Sequence, residues 1–385
     1  MSSTRTVAHV ADLHFGRRMA RVSSGGDNVR EMDIYAAGRA LSEHLCQLQP
    51  DLVVVAGDVW DSASPSPQAL KHGYDFHRRL QQAGIETLVV GGNHDTLSSP
   101  GRPTALEHLG RYFGCHVSLE QQTLEIADLR ILTIPYRTLS LGIMKEPDYS
   151  DQVPNLLVVH AAVDGDDMPD FAKYDYTRLA RKDLFDQRAS ARLLGHIHIH
   201  QSVGENAFYC GAPERLTWGE ITNTPAFYLH QISDDGSVVS NSVKMEEIGV
   251  DGVPRPASLL SVNCADLTAQ VAVEKAAQLI DEADCDGHLL QVTFENCPAD
   301  IYNLNYEDLL GKRAAKAGAL AFRPRVLLRP EDDLARPALP SVDHVPGAAL
   351  SEAYRDFAQK SGNQDLAELG CDLIAQQLGE VEFQA

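Results

Sequence analysis

Short apolar segments that end in polar tips constrain the fold of this chain more than any other feature. Residues 6–12 (TVAHVAD), 51–56 (DLVVVA) and 85–90 (IETLVV) have the length and composition of buried strands. Helical spacing of apolar residues over 33–48 and 67–83 separates them. Strands that alternate with helices in this way predict an α/β fold with layers of sheet and helix.

The same alternation continues to about residue 250. Further strand-type segments lie at 129–134, 155–160, 191–194, 226–232 and 237–243. The last two flank Asp234-Asp235-Gly236, which predicts a hairpin. Residues 249–257 (GVDGVPRPA) are rich in glycine and proline and predict a domain boundary.

A second pattern of elements follows this boundary. Strands are predicted at 259–264, 288–294 and 321–328, and helices at 268–283 and 305–317. Residues 330–347 contain four prolines, and helical spacing returns afterwards. We therefore predict four parts: a main domain at 1–250, a small α/β domain at 258–329, a proline-rich linker at 330–347 and a helical tail at 348–379.

Metal-ligating residue types collect where the predicted strands end. They are Asp12 and His14 after the first strand, Asp58 after the second, Asn93, His94 and Asp95 after the third, His160 at the end of 155–160, and His196 and His198 after 191–194. In open α/β sheets, ligands bind beyond the carboxyl ends of the strands. Carboxylate, amide and imidazole groups gathered there predict a site for two divalent ions.

The stretch GHIHIHQ (195–201) sets His196, His198 and His200 at every second position. On a strand these three rings would share one face. Neutral imidazole is the commonest metal ligand, so the run favours a metal site.

Composition limits the range of functions. With 33 basic and 54 acidic residues the net charge is −21, which argues against holding nucleic acid by charge alone. It leaves room for a nuclease whose metal ions supply local positive charge. Seven scattered cysteines without a CxxC pair, no long apolar run and no signal-peptide pattern predict a cytoplasmic protein with reduced cysteines and no membrane segment.

Five sequence blocks resemble the signature of the calcineurin-like metallophosphoesterase superfamily. They are D-L-H (12–14), G-D-V-W-D (57–61), G-N-H-D (92–95), the strand-borne His160 and G-H-I-H (195–198). Within the superfamily, the D-L-H-F-G opening and Y-C-G-A-P-E-R (209–215) resemble the SbcD-type DNA repair nucleases. The resemblance implies a layered β-sandwich flanked by helices, a small α/β capping domain and a helical C-terminal tail.

The resemblance also implies a role for each residue of the cluster. Asp12, His14 and His198 would bind one metal ion, Asn93, His160 and His196 would bind the other, and Asp58 would bridge the two. His94 would face the scissile phosphate and protonate or steady the leaving oxygen, and Asp95 would orient His94. Archaeal and eukaryotic relatives often carry histidine where this chain has Asp61, so Asp61 is left out of the catalytic set. No role is assigned to His200.

The implied function is a Mn²⁺-dependent DNA exonuclease and endonuclease subunit, in which two metal ions activate a hydroxide that attacks the phosphodiester. Fe or Mg are alternative metals. The implied partners are DNA, an SbcC-like SMC-family ATPase bound by the tail, and a second copy of the chain. For this homodimer, the face of helix 67–83 that carries Leu70, Tyr74, His77 and Leu80 is the predicted contact.

The basic residues Lys312, Arg313, Lys316 and Arg323 belong to the densest basic region of the chain. They are candidates for DNA phosphate contact, and a solvated helix face is the alternative. Two other functions stay open. A stand-alone phosphodiesterase or phosphatase for a small nucleotide fits the acidic balance better, whereas the capping domain and tail favour the nuclease. A metal-free scaffold is disfavoured by the complete ligand set.

Overall fold

The structure, a computed structural model, describes residues 3–19, 23–24, 27–96, 104–164 and 177–330. The predicted helical tail at 348–379 lies outside the described residues, and so does the predicted linker from residue 331 onward. Within the described part of the chain, no helix is both long and apolar enough to cross a membrane.

The described elements alternate between strands and helices. The strands are β1 (Thr4–Val10), β2 (Ser23–Ser24), β3 (Asp27–Asn28), β4 (Leu52–Val55), β5 (Glu86–Val90), β6 (His116–Ser118), β7 (Gln122–Ile126), β8 (Leu129–Ile134), β9 (Asn155–His160), β10 (Ala162–Val163), β11 (Arg178–Leu179), β12 (Ala191–Gly195), β13 (Gln201–Gly204), β14 (Ala207–Tyr209), β15 (Ala226–Ser233), β16 (Val238–Lys244), β17 (Ala257–Asn263), β18 (Leu289–Cys297) and β19 (Ala321–Leu328). The α-helices are α1 (Val29–Leu48), α2 (Pro67–Gln82), α3 (Ala105–Phe113), α4 (Tyr136–Ser140), α5 (Arg181–Leu184), α6 (Ala269–Glu282) and α7 (Tyr306–Lys316).

Two six-stranded sheets carry the main domain. The first has the order β16-β15-β1-β4-β5-β6, and the second has the order β13-β14-β12-β9-β8-β7. Strands β1, β4, β5 and β6 run parallel in the first sheet, as do β14, β12, β9 and β8 in the second. The predicted α/β sandwich flanked by helices is therefore confirmed.

The apolar runs of the sequence form the core between these sheets. Val53 and Val54 of β4 and Leu88 of β5 belong to the same fully buried cluster as Val158 of β9 and Leu193 of β12. Burying an aliphatic side chain of this size contributes about 1.5–3 kcal/mol. This packing holds the carboxyl ends of both sets of parallel strands in fixed positions, where the polar tips begin.

Most predicted boundaries lie within a few residues of the observed ones. Helix α1 begins four residues before the predicted start, because the side chain of Asn28 accepts a hydrogen bond from Glu31 N at 3.2 Å and caps the helix there. Helix α3 and the short strands β6, β7, β13 and β14 were not predicted. These elements are short, so their apolar residues cover too few turns or alternations to show a period.

The predicted dimer contact on α2 is only partly accessible, because Leu70 and Tyr74 are half-buried and the other two residues are buried. Leu80 is completely buried and His77 nearly so, both within the core of the main domain. The hydroxyl of Tyr74 lies 2.8 Å from His108 Nδ1, and its ring stacks on Phe113. His77 and Leu80 therefore belong to the core of their own domain, and homodimer formation through the half-buried Leu70 and Tyr74 stays a prediction.

The chain forms two compact units. Among the described residues, one unit comprises those within Met1–Leu259 with Ala283–Gln291 and Ala314–Arg323, and the other comprises Leu260–Glu282, Val292–Arg313 and residues 324–330. A three-stranded sheet has the order β17-β18-β19. The predicted domain boundaries stay predictions.

Two of the four basic residues proposed for DNA contact are engaged in ion pairs. Lys312 Nζ lies 2.7 Å from an oxygen of Asp308, and Arg313 pairs with Asp281. Both pairs are exposed, as expected for a solvated helix face. Lys316 and Arg323 form no ion pair within the described residues, so a phosphate contact there would break no existing pair.

Candidate metal centre

The loops after β1 and β4 run side by side at the carboxyl ends of the strands. The backbone N–H of Asp12 donates to the Gly57 carbonyl at 3.0 Å, and that of His14 donates to the Asp58 carbonyl at 3.0 Å. Asp12, His14 and Asp58 all have a positive φ, of 52°, 44° and 52°. A left-handed backbone costs a non-glycine residue about 1 kcal/mol or more, and such strain tends to gather at functional sites.

The glycines of the sequence blocks are required because neighbouring atoms lie too close to them to leave space for a side chain. A Cβ on Gly57 would lie 1.9 Å from His160 Nδ1, and one on Gly92 would lie 2.0 Å from an oxygen of Asp58. A Cβ on Gly195 would lie 1.9 Å from the Ala56 carbonyl oxygen. Each glycine therefore lets a side chain or a backbone carbonyl come close enough to build the cluster.

The first predicted ligand group is assembled. Ligand atoms of Asp12, His14 and His198 all lie within 4.8 Å of one another. The two Nε2 atoms of His14 and His198 are 3.2 Å apart. Two ligand atoms about 2.1 Å from one ion, at right angles, lie about 3 Å apart, so these nitrogens fit a shared divalent ion.

The second predicted group meets around an amide oxygen. Asn93 Oδ1 lies 3.0 Å from His160 Nε2 and 3.0 Å from His196 Nδ1. Asp58 Oδ2 lies 3.3 Å from His160 Nε2 and 3.5 Å from His14 Nε2. Asp58 therefore stands between the two groups, which is where a bridging carboxylate must lie.

Hydrogen bonds on the second ring nitrogen orient three of the histidines. His14 Nδ1 lies 3.0 Å from Asp61 Oδ1, and His198 Nδ1 lies 3.0 Å from Glu220 Oε1. His160 Nδ1 lies 2.8 Å from the Ala56 carbonyl oxygen. An Nδ1–H donated to an oxygen makes Nε2 the lone-pair nitrogen of the neutral ring, which is the form that binds a metal.

Sequence reasoning missed two of these orienting residues. Asp61 was left out of the site, although its place in G-D-V-W-D, three residues after Asp58, puts it beside the cluster. Glu220 lies in a segment with no strand or motif signal, 22 residues from His198. A local pattern could have indicated Asp61, but not Glu220.

The predicted role of Asp95 is corrected by its contacts. Its carboxylate accepts hydrogen bonds from the backbone N–H groups of Val59, Trp60 and Gly92, at 3.0–3.2 Å. It therefore joins the loop after β4 to the loop after β5, and it forms no hydrogen bond to His94 within the described residues. Instead, His94 Nδ1 lies 3.0 Å from the backbone carbonyl of Asp61.

The remaining histidine of the run lies outside the cluster. The chain leaves the strand at Gly195, and His196 has a φ of 92°. The three rings therefore do not share one strand face, because the backbone bends away from the strand at His196. His200 donates from Nδ1 to the Cys210 carbonyl at 2.7 Å, its Nε2 lies 2.8 Å from the Ser242 hydroxyl, and its ring stacks on Tyr228.

The electrostatics of the cluster favour an ionised Asp58. Burial alone would raise the pKa of this carboxyl, but the neighbouring His160 and His14 rings outweigh burial and hold that pKa well below its usual range. Burial would lower the pKa of His160, but Asp58 and Asp12 raise it to about 9. Burial, and then the charge of Asp58, raises the pKa of Asp95. A buried carboxylate kept ionised is the form that binds a cation.

A cleft opens beside the cluster. It has a volume of about 350 Å³ and is lined by His196, His198, Ile199, Thr217, Gly219, Glu220 and Asn223. The ring of Tyr136 lies 5.6 Å from that of His196, measured between centroids. The cleft leaves room for a substrate beside His196 and His198.

A family comparison agrees with the fold and the cluster. Residues 5–200 match the model of the calcineurin-like phosphoesterase family. The match covers about half of the chain and all the proposed metal ligands. The chain belongs to this family, whose members use divalent metal ions.

Individual proteins that this chain resembles are described as DNA double-strand break repair proteins. The chain is similar to the protein described as DNA double-strand break repair protein Mre11 in Methanopyrus kandleri, with 23% identity over 62% of this chain and 57% of the relative. The Mre11 of Aeropyrum pernix is 26% identical over 60% of this chain and 59% of the relative. The chain thus spans less than two thirds of the length of these relatives. A solved dimetal phosphatase from Danio rerio matches with a TM-score of 0.36 and 13% identity, covering 61% of this chain and 98% of that structure.

Proposed function

We propose that this protein is a Mn²⁺-dependent nuclease that hydrolyses DNA phosphodiester bonds. The observation that carries the proposal is the meeting of two ligand groups, one on each side of Asp58. The first group is Asp12, His14 and His198, and the second is Asn93, His160 and His196. Imidazole, amide and carboxylate donors together suit Mn²⁺, with Fe or Mg as alternatives.

When bound, the two ions would lower the pKa of a water molecule and neutralise charge on the phosphate oxygens. The protein's own contribution to proton transfer is His94. Its Nδ1 faces the Asp61 carbonyl, so that nitrogen must carry a proton. The proton that His94 gives to a leaving oxygen would therefore come from Nε2 of the imidazolium form.

The backbone around His94 is fixed as well. Its N–H donates to Asp58 Oδ1 at 2.9 Å. The same carboxylate that stands between the two ligand groups thus holds the loop that carries His94. This link keeps the proposed acid at a constant distance from the proposed ions.

DNA is the proposed substrate because relatives at 23–27% identity are described as DNA double-strand break repair proteins. The net charge of −21 favours the rival substrate, a small nucleotide. Ions bound at the cluster would reverse the local charge, and Lys316 and Arg323 are the two proposed phosphate contacts without an ion pair in the described residues. Substrate choice is therefore the point to test.

The test compares two substrates under the same metal conditions. We expect Mn²⁺-dependent degradation of an end-labelled linear duplex, and its loss with a chelator. A small phosphodiester such as bis-p-nitrophenyl phosphate, assayed in parallel, measures the chemistry without DNA recognition. Efficient hydrolysis of the small ester with no degradation of duplex or single-stranded DNA would favour the small-nucleotide enzyme instead.

We further propose that the tail binds an SbcC-like SMC-family ATPase. The predicted tail at 348–379 carries apolar residues at helical spacing, namely Leu350, Tyr354, Phe357, Leu366, Leu369, Leu373, Ile374 and Leu378. Short helices are marginal alone in water, so such a stripe needs a host to cover it. A partner with its own DNA-binding surface would also offset the acidic charge of this chain.

Truncation after Pro346 tests this docking. The shortened protein should keep Mn²⁺-dependent cleavage of short single strands and should no longer co-purify with the ATPase from the same organism. The full chain purified in parallel is the control. Unchanged co-purification, or unfolding of the main domain on truncation, would show that the tail packs on its own chain.

A further inference from the structure

We propose that Glu220 is a positioning residue that fixes the tautomer and orientation of His198 as a metal ligand. The inference rests on the proposed metal binding and deepens it. Glu220 Oε1 lies 3.0 Å from His198 Nδ1. An ionised carboxylate only accepts hydrogen bonds, so Nδ1 must carry the ring proton and Nε2 is left with a free lone pair. That Nε2 is the atom 3.2 Å from His14 Nε2.

Glu220 is itself held in place. Its second oxygen, Oε2, accepts from the backbone N–H of Leu216 at 2.8 Å, and Oε1 also accepts from the Thr217 hydroxyl at 3.1 Å. The side chain is only 16% exposed. Because both oxygens accept hydrogen bonds, the carboxylate is held in one orientation. It therefore also fixes the orientation of the His198 ring.

The segment 214–220 that carries Glu220 is anchored by a buried ion pair. Glu214 Oε1 lies 3.0 Å from Arg30 Nη2, and both side chains are 1% exposed. Glu214 Oε2 accepts from the backbone N–H of Arg255 at 2.7 Å, and Arg30 also donates to the Arg215 carbonyl at 2.5 Å. The first turn of α1 thus fixes the start of the segment, and Glu220 fixes its end to the ligand.

The two ligand groups differ in the charge of the groups that orient their histidines. His14 and His198 of the first group are each backed by a carboxylate, whereas His160 of the second group is backed by a neutral carbonyl. A carboxylate raises the basicity of the imidazole that it orients. Loss of Glu220 should therefore weaken the ion at Asp12, His14 and His198 and leave the other ion nearly unchanged.

The experiment measures Mn²⁺ binding to the full chain by calorimetry, with EPR of the bound Mn²⁺ and the visible spectrum of a Co²⁺-loaded sample as independent readouts. Wild type should bind two ions. The variant Glu220→Gln keeps the size of the side chain and removes its charge, and it should lower the affinity of one ion about 10–100-fold. The Co²⁺ spectrum of that position should change as well.

Glu125→Gln is the matched control, because it makes the same change at an exposed glutamate that pairs with Arg130 instead. It should leave both affinities unchanged. Glu220→Asp keeps the charge but shortens the side chain, and it should give a smaller loss; it also serves if Glu220→Gln does not fold. Suppose that wild type binds two ions and that the folded Glu220 variants keep the same affinities and Co²⁺ spectrum. That result would overturn this inference but leave the proposed function standing. Failure of wild type to bind any ion would overturn the proposed function with it.

Discussion

Replacing His94 with alanine should leave both metal positions filled and slow DNA cleavage by about 10²–10⁴-fold, the usual contribution of a general acid. The ring of His94 is held by the Asp61 carbonyl, so its removal breaks one hydrogen bond to the backbone. The bond from the His94 N–H to Asp58 involves the main chain and survives in alanine. The geometry of Asp58 should therefore persist while proton transfer is lost.

The measurement is the Mn²⁺ content of the purified variant together with its single-turnover cleavage rate. His116→Ala is a suitable control, because that half-buried ring pairs with Glu86 at the start of β5, whereas the cluster lies beyond the other end of this strand. Ligand atoms of His94, His14 and Asp58 also lie within 4.8 Å of one another. Loss of an ion in His94→Ala would therefore make His94 a ligand, and full activity would remove it from the mechanism.

Gly57→Ala should destroy the second ligand group. Gly57 has a φ of +99°, and an added Cβ would lie 1.9 Å from His160 Nδ1. The ring would be pushed away from the Ala56 carbonyl, which it now meets at 2.8 Å, and from Asn93. A displacement of about 1 Å can cost about 10² in rate, so we expect at least that loss of cleavage and the loss of one Mn²⁺ ion.

Gly84→Ala is the control that separates the cost of a left-handed backbone from the steric overlap between an added Cβ and His160. Gly84 also has a positive φ, of +73°, but nothing lies within 4 Å of its added Cβ. This variant should lose about 1 kcal/mol of unfolding free energy from the left-handed backbone alone. It should keep both ions and full activity. Equal effects of the two variants would show that the approach of His160 to Gly57 has no special role.

The strands of the main domain could be predicted from the sequence because they are buried on both faces. The run LVVV at Leu52–Val55 is entirely buried, so its apolar character is continuous and its end is marked by Gly57 and Asp58. Parallel strands of one sheet place such ends at one rim. That rule brings Asp12 near Asp58 on the first sheet and His160 near His196 on the second.

The details that failed depend on contacts between segments far apart in the chain. Asp95 accepts hydrogen bonds from three backbone N–H groups. The residue type alone does not show whether a carboxylate binds the backbone in this way or orients a histidine such as His94. Glu220 reaches His198 only because the buried pair of Arg30 and Glu214 fixes its segment. Similarly, the apolar stripe of α2 predicts a buried face but not whether its own core or a second copy buries it.

The most direct test of the two-metal centre is the anomalous diffraction of a crystal soaked in Mn²⁺. We expect two peaks, with the carboxylate of Asp58 in contact with both. One ion should be bound by Asp12, His14 and His198, and the other by Asn93, His160 and His196. A single peak, no peak, or two ions held by other side chains would contradict the assignment of this cluster as a two-metal phosphodiesterase site.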